Sequence, residues 1–308
     1  MAWPDLSRIA LQPTTDALHL WTQIAGKVRL MMTPWVNHGW HVPLYVCATG
    51  LTTGLIPADG CSFEMEFNLL DDVLIIRDTN GQERAVELEP QSVADFFSAV
   101  MQALEEMGIA VDLDPMPCEL PGAVPFHMDE TVRPYDGDVA REFWRALVEA
   151  QRVLQIFRTR FTGKCSPIHF FWGSFDLAVT RFSGRTAPPH PGGMPHLPDA
   201  VAREAYSQEV SSAGFWPDKI KGACFYSYAY PAPAGFGDVK ISPPGAYFDA
   251  ALGEFLLPYD VVFQSPDPDA ALLAFLQSTY EAAANLAHWD RASLERPTGL
   301  LGSPPKGS

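Results

Sequence analysis

Nothing in this 308-residue chain approaches the roughly 20 consecutive apolar residues of a membrane-spanning helix. The five cysteines (Cys47, Cys61, Cys118, Cys165, Cys224) lie far apart and form no CxxC pair. That spacing argues against a disulfide scaffold and for reduced thiols in a cytoplasm. Positive charge is scarce: 21 basic against 37 acidic side chains leave a formal net charge of −16. Such a chain repels a nucleic-acid backbone or an anionic membrane, so neither is expected as a partner. The start, Met1-Ala2-Trp3-Pro4-Asp5, lacks the basic and apolar regions of a secretory signal. There is no GxSxG elbow, no HExxH and no GxGxxG after a strand. Gly163-Lys164 is not a phosphate loop, because Arg158 stands where the upstream glycine belongs and Cys165 replaces the magnesium-binding hydroxyl.

What is present is apolar and patterned. The chain is 47% hydrophobic and only 19% charged, enough to bury a large core. Leu18, Trp21, Ile24, Ala25, Val28 and Met31 form one stripe, which predicts a helix over 14–32 capped by Thr14 or Thr15. Strands are expected at 42–46, 62–67 and 73–77, with Asn80-Gly81 as a type I′ hairpin turn. A helix over 91–107 ends at Gly108. Residues 115–137 are proline-rich and read as a surface linker. A second long helix follows Asp138, then a continuous central strand from Ile168 to Phe182. Strands at 224–230 and 253–257 precede a helix opened by Asp267-Pro268, and 297–308 reads as a disordered tail.

The order helix, strands, helix thus occurs twice. Each half carries a Gly-Lys pair, Gly26-Lys27 and Gly163-Lys164, near the end of its first helix. The expected fold is α+β, with a first unit over 1–114 and a second over 138–296. The second holds a Pro/Gly-rich insertion at about 185–222, and the two units pack as an internal pseudo-dimer.

Three constellations could carry chemistry. In Asn37-His38-Gly39-Trp40-His41 a loop would let His38 and His41 converge on a divalent transition metal or a substrate, although no third ligand is near in sequence. The competing reading is a pair of ordinary loop histidines. In a strand from His169 to Arg185, His169 would share a face with Arg181, and Asp176 with Trp172. A carboxylate among so many aromatics is expensive unless paired or strongly hydrogen-bonded, with Lys164, Arg181 and Arg185 as candidate partners. A buried ion pair fixing register explains that segment equally well. In the third, Tyr206 and Glu209 would face inward from a short helix, with Phe215 and Trp216 walling a pocket.

The phrases His41-Val42-Pro43-Leu44-Tyr45-Val46, His169 through Arg185, Ser211 through Pro217 and Glu254 through Tyr259 resemble an uncharacterised bacterial family, a domain of unknown function, over roughly residues 21–295. The resemblance implies a single-family protein and transfers no catalytic role. The family's Tyr-Ser-x-Glu motif is associated with a His where this chain has Gln208. Three classes follow. The first is a small-molecule enzyme with His41, His169, Asp176 and Glu209 as acid–base groups and Lys164, Trp172, Arg181, Arg185, Tyr206 and Trp216 binding substrate. The others are a binding protein using the same pocket, and a structural or partner-binding protein.

Overall fold

The computed structural model describes residues 2–217 and 222–298. Residues 218–221 of the irregular stretch, and the expected disordered tail from 299 on, lie outside the described residues. Helix α1 (Leu11–Met32) buries Leu18, Trp21, Ile24 and Val28 on the predicted stripe. It starts three residues before Thr14, with Pro13 in the first turn, where a missing N–H breaks no helical bond.

The first sheet follows: β1 (Tyr45–Val46), β2 (Gly50–Thr52), β3 (Ile56–Ala58), β4 (Cys61–Asn68), β5 (Val73–Asp78) and β6 (Glu83–Glu87). All pairings are antiparallel, in the order β1-β2-β4-β5-β6, with β3 also pairing β4. The hairpin at Asn80-Gly81 forms, but only Gly81 has positive φ; Asp78 Oδ1 shapes the turn by accepting the Asn80 and Gln82 amides at 2.9 and 2.8 Å. Strand β7 (Gln91–Ser92) leads into α2 (Val93–Glu106), capped by Ser92 and stopped at Gly108 with φ 73°.

The stretch 115–137 runs largely over the surface and reaches the core at a few positions. Cys118 and Phe126 are buried, and β8 (Val132–Arg133) pairs with β7. Helix α3 (Gly137–Thr159) starts at an Asp136 cap and packs Phe143, Leu147, Leu154 and Phe157 inward. The predicted strand from 168 to 182 is a hairpin: β9 (His169–Phe171) and β10 (Asp176–Thr186), turned at 172–175 with Phe175 at φ 57°. Helix α4 (Asp199–Ala205) and β11 (Gln208–Trp216) lie within the region read as a Pro/Gly-rich insertion, and β11 is a central strand. Then come β12 (Cys224–Tyr230), β13 (Tyr247–Asp249), β14 (Glu254–Pro258), α5 (Tyr259–Phe263), α6 (Pro268–Leu286) and α7 (Arg291–Leu294). Asp267 caps α6 by accepting the Ala270 amide, with Pro268 first in the helix.

The second sheet runs β13-β14-β12-β11-β10-β9, again antiparallel, so the fold is α+β. Leu44 and Phe170 exchange both backbone hydrogen bonds at 2.9 Å, joining the segment before β1 to β9. One hydrophobic cluster extends from Trp3 through Trp21, Phe96 and Phe143 to Tyr280 and Trp289, so the two halves share a core. Among the described residues no helix is long and apolar enough to cross a membrane.

The hairpin decides which side chains reach the candidate site. His169, Ala178, Gly214 and Tyr226 are directly paired across β9, β10, β11 and β12, and directly paired residues share a face. One face therefore carries Asp176, Ala178, Thr180 and Phe182 of β10 with Val210 and Ser212 of β11. The other carries Leu177, Val179, Phe215 and Phe225 against the core formed with α3 and α6.

Candidate functional site

A cavity of about 600 Å³ lies between the first face of that sheet, the end of α1 with the loop after it, residues 114–119 and the segment 194–206. Its sheet wall is Asp176, Ala178, Thr180, Phe182, Val210, Ser212, Tyr226 and Tyr228. Trp35, Trp40, Phe171, Trp172 and Tyr206 add further aromatic surface. This is the usual form of a small-molecule site: mostly apolar, with a few convergent polar groups.

Trp172 reaches the cavity because residue 26 has no side chain. A Cβ on Gly26 would stand 2.2 Å from Trp172 Nε1, and that indole N–H donates to the Val42 carbonyl at 2.9 Å. Asp176 is 4% exposed and accepts the hydroxyls of Ser174 and Tyr226. Burial and the Asp176 charge push the Tyr226 phenol well above its ordinary range, so it stays a donor. Tyr206, at the end of α4, meets Tyr228 hydroxyl to hydroxyl at 2.9 Å and stacks on His190. Burial pushes its phenol up to about 12, against the Tyr228 hydrogen bond, with the Glu119, Glu254 and Asp176 charges adding to the rise.

The two loop histidines also line the cavity, each with its tautomer set by neighbours. The Lys164 ammonium donates to His38 Nε2 at 2.5 Å, so His38 Nδ1–H donates to the Ala205 carbonyl at 3.0 Å. His38 has φ 61°, a left-handed conformation costing about 1 kcal/mol for a side-chain-bearing residue. His41 Nδ1 accepts the Val36 amide at 3.2 Å, which leaves the proton on Nε2, a buried donor with no partner among the described residues. Burial holds both imidazoles below their ordinary pKa, and each therefore stays neutral at pH 7.

Both His38 nitrogens and His41 Nδ1 are engaged by the protein, and among the described residues no group of three or more His, Cys, Asp or Glu side chains is placed to hold an ion.

Of the other expected residues, Asp176, Trp172 and Tyr206 line the cavity and Lys164 stands one layer behind it. Lys164 Nζ touches His38 and Gln208 Oε1 (3.1 Å) and lies 5.4 and 4.7 Å from the Trp40 and Phe182 ring centres. Desolvation lowers its pKa. His169 faces the right side of the sheet but is sealed off by the rings of Trp40, Tyr45 and Phe171; neither ring nitrogen has a hydrogen-bond partner among the described residues. Arg181 does not share its face. The turn at 172–175 changes the parity, so Arg181 lies on the opposite face, 3.4 Å from the Phe157 ring centre and bonded to the Phe157 carbonyl. Glu209 is on that opposite face too. It pairs with Arg185 at 2.6 Å, and Arg185 also donates to the carbonyls of Ala287 and His288. Tyr206 and Glu209 are not helix neighbours, since β11 begins between them. Trp216 stacks on Tyr226 at 4.1 Å, outside the lining.

Sequence reading missed Lys27, Trp40, Glu119, Tyr226 and Tyr228. Three of these had a signal: Tyr226 and Tyr228 recur with Tyr230 at strand period, and Lys27 falls on the apolar stripe of α1. No curated protein and no solved structure matches the chain. A family model described as a family of unknown function (DUF5996) matches residues 3–296, and the chain belongs to that family.

Proposed function

We propose that this protein binds a small organic molecule in the aromatic cavity, and that Asp176, Tyr206 and the loop histidines orient it. The observation that supports this reading is convergence: α1, the 35–42 loop, β10, β12 and the 194–206 segment, distant in sequence, all place aromatic or polar side chains on one cavity of about 600 Å³. A purely structural protein would fill such a space, because interiors otherwise close to crystal-like density. The chain keeps it open.

A ligand-observed NMR fragment screen tests the proposal, run on the wild type and on Ala178→Phe, whose new ring would occupy the cavity next to Gly214. Hits on the wild type that the folded variant loses support it. Equal hits on both proteins, or none on either, would remove it.

A catalytic reading rests on His41. Its neutral ring, fixed tautomer and unpartnered Nε2–H are what a proton donor to a bound ligand requires. Asp176 suits the base role less well, since each of its oxygens already accepts a protein hydroxyl. If the protein is an enzyme, His41→Gln will abolish turnover of its substrate while leaving the affinity within about tenfold; turnover unchanged by this substitution would exclude His41 as the acid.

A further inference from the structure

Of the lysines in the two Gly-Lys pairs, the fold takes Lys27 to the cavity wall and Lys164 to a place behind it. The chain has six lysines in 308 residues, and of these only Lys27, Lys164 and Lys240 are among the described residues. Lys27 lies on the buried stripe of α1, one turn after Ile24, where an apolar side chain is the rule. Its side chain is 5% exposed and lines the cavity.

The polar neighbours of Lys27 among the described residues do not satisfy it. Asp114 Oδ2 is 3.8 Å away, beyond hydrogen-bond reach, on a side chain that is 72% exposed; the other neighbour is the Cys118 thiol, a weak acceptor. A buried ammonium held this way lacks the hydrogen-bonded anion that normally offsets its desolvation. The cavity that Lys27 lines is also lined by the apolar side chains of Leu30, Met31, Trp35, Val42 and Trp172. Asp176 and Glu119 line the same cavity and would repel a ligand carrying several negative charges.

We propose that Lys27 anchors the carboxylate of a monoanionic organic acid whose apolar body lies against the aromatic wall. This rests on the binding function proposed above and adds the chemical class. Lys164, held against His38, contributes positive potential behind the wall without touching the ligand.

Three probes sharing one apolar body separate the claims: 4-phenylbutyrate, 4-phenylbutan-1-ol and 4-phenylbutylamine, titrated calorimetrically into the full chain. The carboxylate should bind at least about tenfold more tightly than the alcohol, the factor expected for a hydrogen bond to a buried charge, and the amine most weakly. Lys27→Met, which keeps the length of the side chain, should remove that preference while the alcohol binds as before. Lys27→Arg should retain most of it. Binding of the alcohol or the amine as tightly as the acid, or an acid affinity unchanged in Lys27→Met, would overturn the assignment and leave the cavity reading standing. Absence of binding by all three probes would overturn both.

Discussion

Tyr226 reaches Asp176 across the full width of a strand because residue 214 is glycine. Tyr226 on β12 pairs with Gly214 on β11, which pairs with Ala178 on β10, two residues beyond Asp176. A Cβ at 214 would sit 2.5 Å from the Tyr226 hydroxyl and 2.2 Å from the Leu177 carbonyl oxygen. Without it the phenol crosses the middle strand and donates to the carboxylate. Gly214→Ala should therefore destabilise the chain by about 1–3 kcal/mol, the range of overpacking, even though alanine is the better residue for an ordinary strand. Urea unfolding measures it, and an unchanged midpoint would mean that the sheet makes room at no cost.

Removing the acceptor should cost more than removing the donor. Asp176→Ala leaves the buried Tyr226 hydroxyl without its partner and should lose about 3 kcal/mol, whereas Tyr226→Phe should lose about 1 kcal/mol. Thermal unfolding of the two variants gives the order. The reverse order would show that the carboxylate owes its place to some other contact.

Gly26→Ala sets two effects against each other. Alanine in a helix interior gains about 1 kcal/mol over glycine. Here the new methyl would enter the Trp172 indole, within 2.2–2.3 Å of three ring atoms, and displace it from Val42 and from the cavity wall. Overpacking of about 1–3 kcal/mol wins. The variant should be less stable, with a shifted tryptophan fluorescence maximum; a more stable protein with an unchanged spectrum would contradict the packing described.

How much of this was legible in sequence depends on what each residue answers to. The helices α1, α2, α3 and α6 follow from stripes of apolar residues, and Asp267-Pro268 and Gly108 mark ends through local backbone chemistry alone. The turn at 172–175 left no comparable mark. Ile168 to Phe182 is apolar on both parities, so period two cannot locate a reversal within it. That single turn moved His169 onto the face of Asp176 and sent Arg181 to the other. Glu209 was misplaced because Tyr206-Ser207-Gln208-Glu209 reads equally well as a helix end or a strand start. The cavity itself is a tertiary product; α1 had no local sign that Gly26 would make room for Trp172.

His169 should make stability depend on pH. Burial, with smaller contributions from the Arg29 and Arg158 charges, holds its pKa down at about 3, against about 6.5 in the unfolded chain. Between those values the unfolded chain binds the extra proton. The native state is thus favoured fully above pH 6.5 and progressively less as the pH falls. From pH 7.5 to pH 5 this one residue should remove about 2 kcal/mol, and the depressed His38 and His41 act in the same direction. His169→Phe, matched to its aromatic surroundings, should flatten the slope by about one proton. An unaltered pH dependence in that variant would show that His169 ionises freely in the native protein.

Whether ligands enter the cavity is read most directly from methionine methyl resonances. Met31 and Met194 line it, while Met65 and Met107 are buried elsewhere in the core. With ¹³C-methyl methionine, fragment hits should move the Met31 and Met194 signals and leave Met65 and Met107 in place. Shifts confined to the other methionines, or none at saturating ligand, would contradict the account.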